Sequence, residues 1–141
     1  MANAVYPLWK QSCMTEADAN KSLDQSGATN ACYAALVNVS GGYTYSSAHQ
    51  FYSSVVGFVQ GTPQQITTPT VANGVFAGDS VTYTSVTGAV IGAIVIYRQN
   101  SGANSTWRLV LYLDTAIASF PLTPGGGNII VAWNASGIFA L

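Results

Sequence analysis

From residue 31 onward, apolar positions come in short stretches of two kinds: some are apolar throughout, and others alternate with polar residues. Both are strand patterns, because successive side chains of an extended chain point to opposite faces. The segment AVIGAIVIYR, residues 89–98, is the strongest of the first kind. Ala89, Ile91, Ala93, Val95 and Tyr97 would share one face, and Val90, Gly92, Ile94 and Ile96 the other, so neither face is polar. This predicts a central strand, covered by the chain's own core on one side and by core or a neighbouring subunit on the other. The polar loop QNSGANST follows, then WRLVLYLD (107–114), where Leu109, Leu111 and Leu113 alternate with Arg108, Val110, Tyr112 and Asp114. A hairpin is the economical reading of the pair.

The remaining elements are shorter. ACYAALVNVS (31–40) predicts a buried strand closed by Gly41-Gly42. Ser46 or Ser47 is placed to cap a short helix from Ala48 to Val55 or Val56, with Phe51 and Val55 on its inner face. Val81 and Tyr83 alternate with Thr82 and Thr84, as in a half-exposed strand. After the loop FPLTPGGGN, IIVAWN predicts a last strand, and Ile138, Phe139 and Leu141 are too apolar to stand free in water. Residues 1–30 show no such alternation and read as an N-terminal arm, in which Thr15 would cap a helical stretch over 16–23. The expected fold is all-β, a single sandwich or barrel-like domain over 31–141 with one short helix near 48–56 and an extended arm at 1–30.

Charge changes this picture more than size does. At 141 residues the chain can bury roughly two thirds of its unfolded surface without metal or disulfide staples. Only 6% of its residues are charged, against about 25% in ordinary soluble domains. Lys10, Glu16, Asp18, Lys21 and Asp24 fall in the first 24 residues, leaving Asp79, Arg98, Arg108 and Asp114 for all the rest. A net charge of -1 offers no basic patch for phosphates, so nucleic acid is not an expected partner. Apolar stretches of about ten residues are too short to span a bilayer as helices, so no membrane is expected. The first residues lack the basic and apolar regions of a signal peptide, which points to synthesis in a cytoplasm. A neutral surface rich in Ser, Thr, Asn, Gln and Tyr suits packing against other neutral protein surfaces.

Candidate chemistry is sparse. His49 is the only histidine, no G-x-S-x-G elbow is present, and a turn or helix-cap role is its simplest reading. Asp79 lies in the turn sequence AGDS, and Asp114 ends a strand, where an Asx-turn or an ion pair with Arg98 or Arg108 is expected. Cys13 and Cys32 lack C-x-x-C spacing and read as reduced thiols rather than a redox or zinc site. Gly125-Gly126-Gly127 precedes a strand, unlike a phosphate loop. No catalytic, metal or cofactor site is expected. Eight tyrosines and three tryptophans leave a small carbohydrate-binding module as the reading from another class.

A set of phrases carries a resemblance. ALVN, YTYSSAHQFYSSV, TVANGVFAGDSVTYTSVTG, AIVIYRQ, RLVLYLDT, PLTPGGGNIIVAWN and GIFAL, in this order over residues 34–141, resemble a family of small tailed-bacteriophage virion proteins, some of them capsid decoration (cement) proteins. Where that family tends to carry acidic residues near VFAGDSVTYT, this chain mostly has Gly, Ser, Gln and Asn, so charge-based contacts do not carry over. The resemblance implies a noncatalytic structural role at the capsid surface, with the major capsid protein and its own copies, often as a homotrimer, for partners. A tail or baseplate component is the alternative within a virion. From polarity and position, the expected partner contacts are Tyr6, Trp9 and Lys10 on the arm, and Phe139 and Leu141 near position 140.

Overall fold

The computed structural model describes residues 3–15, 22–115 and 119–141. The segment 89–98 sits at its centre. Strand β8 (Ala93–Arg98) is flanked on both edges, antiparallel, by β3 (Asn30–Val37) and β9 (Arg108–Leu113). Ile94 and Val95 point to opposite faces and both are fully buried, so this chain covers both faces itself. The hairpin with 108–113 forms as expected, with Ile96 opposite Leu111 and Ile94 opposite Leu113. Only Gly fits at position 92: its N–H reaches the Val37 carbonyl at 3.0 Å, and a Cβ there would strike Val39.

The sheet continues outward on both sides. β1 (Ala4–Val5) pairs with β9, while β2 (Ser26–Gly27) and β4 (Val59–Gln65) share the outer edge of β3. Two small antiparallel sheets complete a sandwich-like, all-β domain. One joins β7 (Val81–Tyr83) to β10 (Ile129–Val131), and the other orders β5 (Thr70–Ala72), β6 (Val75–Ala77) and β11 (Phe139–Ala140) as β11-β6-β5. Val81 and Tyr83 point inward and Thr82 outward, as the alternation predicts. The Tyr83 hydroxyl donates to the Ala34 carbonyl at 2.8 Å, tying this small sheet to the middle of β3.

Two expectations need correction. The short helix near 48–56 is not formed; residues Tyr52–Ser54 and Val56–Phe58 make two separate 3-10 turns instead. The backbone there is already committed to β9. The Leu109 N–H donates to Gln50, the Tyr52 N–H donates to Trp107, and Phe51 bridges Arg108. An α-helical ladder would have to give up those bonds. Ser46 still caps locally, its hydroxyl accepting the Ala48 N–H at 3.2 Å.

The arm, where it is described, is part of the fold. β1 lengthens the main sheet, and Pro7 opens α1 (Pro7–Thr15), the residue type best suited to a first helical position. Tyr6 and Trp9 are 0% and 2% exposed. Docking wins over extension because two large aromatic rings leave water at this one place. The helical stretch proposed after Thr15 falls mainly on residues 16–21, outside the described residues.

Burial leaves a pH signature. It pushes the phenols of Tyr6, Tyr83 and Tyr97 far above the ordinary range. Burial, with the Asp114 charge adding to it, raises Tyr112 to about 12; burial also holds the Cys32 thiol at about 12. Once unfolded, these groups lose their protons near their ordinary values of 10.0 and 9.0. Above those values the unfolded chain binds fewer protons than the folded one, so stability is intact below them and falls as pH rises. We expect one cooperative alkaline transition beginning above about pH 10, with phenolate absorbance rising in the same step that the β circular-dichroism signal is lost. Phenolate absorbance that rises fully before any unfolding would contradict this burial.

Candidate partner-contact site

Three of the five residues expected to meet a partner come together. Trp9 of α1 and Phe139 and Leu141, in and beside β11, line one apolar cavity of about 250 Å³, with Leu23, Val71 and Phe76. Trp9 meets Phe139 edge-on at 5.9 Å between ring centroids, and Phe139 packs on Phe76 at 5.7 Å. Such tilted pairs suit the positive edge and negative face of aromatic rings.

Local sequence explains how the walls are set. Asn73 and Gly74 both have positive φ (51° and 77°), the requirement of a tight two-residue hairpin turn, and they join β5 to β6. β11 is stitched to the other edge of β6: the Ile138 N–H donates to Phe76 at 2.7 Å and the Leu141 N–H to Gly74 at 3.0 Å. Because the Phe76 carbonyl faces β11, the facing Val71↔Phe76 pair of β5 and β6 is not hydrogen-bonded. The Val71 N–H and C=O therefore point to the open edge of β5. On the far wall, Arg98 is buried and donates from Nε to the Ser22 carbonyl at 2.6 Å and from a terminal nitrogen to the Gln99 carbonyl. This fixes the stretch that carries Leu23 and Asp24.

The rim is mostly uncharged. Among the described lining residues Asp24 is the one acidic side chain, and the Ser22 hydroxyl donated to it holds that carboxyl below its usual range. Val71 is 51% exposed and Leu141 68%, so large apolar side chains face water at the mouth. Trp9 forms the floor, and its indole Nε1 is buried without a hydrogen-bond partner among the described residues.

The other two expected contacts lie elsewhere. Tyr6 is not a surface residue: its ring packs on Tyr45 at 5.2 Å and its hydroxyl bonds that of Tyr43. Lys10 is exposed on α1 and does not line the cavity. Val71, Gly74 and Phe76 are site residues that patterning missed. Their signal was Asn73-Gly74 set between the strand-forming triplets TVA and VFA, a strong hairpin signature.

The residues weighed for catalysis are engaged structurally. His49 Nδ1 bonds the Tyr43 hydroxyl at 2.8 Å. Asp79 accepts from the hydroxyls of Thr67 (3.2 Å) and Thr68 (2.6 Å), closing a turn. Arg108 stacks over Phe51 at 4.9 Å, and Arg98 serves backbone carbonyls. Among the described residues no three of His, Cys, Asp and Glu stand close enough to share a metal, and no helix is long and apolar enough to cross a membrane. The aromatics weighed for sugar stacking mostly stack on one another. Tyr52 lies 3.9 Å from Tyr97, and Tyr33 and Trp107 add parallel rings on either side.

No protein-family model matches the chain, and no curated protein matches it in sequence.

Proposed function

We propose that this protein is a noncatalytic structural component of a tailed-phage virion, a cement protein that binds and stabilises the lattice of the major capsid protein. The observation that carries the reading is the apolar cavity of about 250 Å³ whose mouth exposes Val71 and Leu141 on a domain with few charges. The resemblance of the ordered run of phrases over residues 34–141 to small phage virion proteins supports it. A contact built from neutral, weakly hydrated surface gains most when repeated many times over a shell. In this reading the cavity and the open edge of β5 meet the capsid lattice, and copies associate as homotrimers on the capsid surface after synthesis in the bacterial cytoplasm.

The test is stoichiometry. In purified particles the protein should be present in copy numbers comparable to those of the major capsid protein. Presence in a small fraction of that number would place it in the tail or baseplate. Absence from particles overturns the virion reading, and glycan binding by the free protein would then favour a carbohydrate-binding module.

A further inference from the structure

The open edge beside the cavity specifies the backbone of an occupant. β5 ends its sheet: among the described residues only β6 pairs with it, and Thr70, Val71 and Ala72 are all exposed. With the Val71 N–H and C=O directed outward, the edge offers one donor and one acceptor at strand spacing. Another extended backbone matches both at once. Pro69, two residues back, has no N–H to continue the ladder, so only a short strand fits.

The cavity adds a side-chain requirement. Val71 and Phe139 are the register partners of Phe76 on its two sides, so all three side chains share the face that lines the cavity. A residue laid opposite Val71 would project from that same face, over the mouth. The volume of about 250 Å³ lies below the ~300–1,000 Å³ of small-molecule pockets and suits one large apolar side chain. Charge supplies the third element. Asp24 is exposed on the rim, and among the described residues its carboxylate accepts from Ser22 and Gln25. Arg98 favours that negative charge but is itself buried, with its donors spent on the Ser22 and Gln99 carbonyls. The carboxylate is left to face an incoming cation.

We propose that the cavity and the β5 edge bind an extended segment of a partner protein, which adds a short antiparallel strand beside Val71, seats one large apolar side chain in the cavity and sets a Lys or Arg on Asp24. Alternation fixes the signature of that segment: its apolar and basic residues stand two apart, and the residue between them points away. The proposal deepens the contact-surface reading given above and rests on it for the site, while the particle to which the partner belongs is a separate question.

The test uses the intact protein and two acetylated, amidated hexapeptides, TTFTKT and TKTFTT, which present the signature in both chain directions. One of them should bind, slowing hydrogen exchange of the Val71 amide and shifting the Trp9 and Phe139 resonances while β8 amides stay as they were. Methylating the backbone nitrogen of the peptide's Phe keeps its side chain but removes the N–H aimed at the Val71 carbonyl, and affinity should fall at least about tenfold. That change is made in the peptide, so the protein's folding is untouched. Replacing the peptide's Lys by Glu should weaken binding about fivefold at low salt, and Asp24→Asn should erase the difference. Absence of binding by both peptides at about 5 mM overturns the proposal. So does equal binding of the methylated peptide, which would leave a side-chain pocket without an added strand, or a Lys–Glu difference that survives Asp24→Asn. A Val71 amide already protected in the protein alone, with self-association in sedimentation, would give the edge to a second copy and overturn it too. The peptides contain no particle component, so this result and the particle stoichiometry can fail independently.

Discussion

Replacing Trp9 by alanine should lower the stability of the domain by ~3–5 kcal/mol, whereas Leu141→Ala should leave it within ~0.5 kcal/mol. Both residues line the same cavity, yet Trp9 is 2% exposed and Leu141 68%. The indole carries Phe139 on its edge and the packing of α1 against the sheet. Truncating it leaves a void in a place that the short β1 cannot close. Its Nε1 makes no hydrogen bond to any described residue, so removing that buried donor returns about 1 kcal/mol of the loss. For a domain stable by ~5–15 kcal/mol, the remaining deficit is large. Denaturant unfolding of the two variants checks the contrast, and particle occupancy gives it functional meaning. On the cement role proposed above, Trp9→Ala should lose particle occupancy together with stability, and Leu141→Ala should lose occupancy alone. A Trp9→Ala protein as stable as the parent would show that α1 is not part of the core.

That contrast also marks how far the sequence could be read. Positions 93–98 and 108–113 announced themselves because a strand buried on both faces has no other apolar signature, and their pairing needed only a short polar loop. The inward Val81 and Tyr83 followed from strict alternation. The short helix failed because residues 50–52 have good local helix geometry on paper but spend their backbone bonds on β9, a long-range demand that no local pattern carries. The arm misled for a related reason. Tyr6 and Trp9 stand in AVYPLW, an apolar run too short to show a period, and only the folded sheet edge at β9 shows what they pack against. The groove was half legible: Trp9, Phe139 and Leu141 stood out as apolar residues in polar or terminal context. What they would face, Leu23 and the hairpin carrying Val71 and Phe76, depends on three segments far apart in the chain.

The cavity therefore rests on how the last segment is steered back to β6, and a single backbone position does the steering. Gly137 has φ +112°, a conformation that L side chains rarely adopt, and a Cβ there would strike the Val75 side chain and stand 3.0 Å from the Phe76 carbonyl oxygen. That carbonyl cannot yield, because it accepts the Ile138 N–H that starts the β11 pairing. Gly137→Ala should cost about 3 kcal/mol, combining backbone strain with a local overpacking clash. Gly125→Ala, whose Cβ meets nothing within 4 Å and whose φ is not positive, is the matched control and should be neutral. The strained variant has a local escape that the Trp9 variant lacks: it can release β11 and relax. Hydrogen exchange at Ile138 and Leu141 should then accelerate well beyond exchange in β8, while the main sheet keeps its protection. Because Phe139 leaves with β11, Trp9 loses its edge contact and the cavity loses a wall; on the cement role proposed above, capsid occupancy should then fall, as is expected of Leu141→Ala. Unchanged exchange at both amides would mean that β11 does not depend on this turn, and the cavity would need another support.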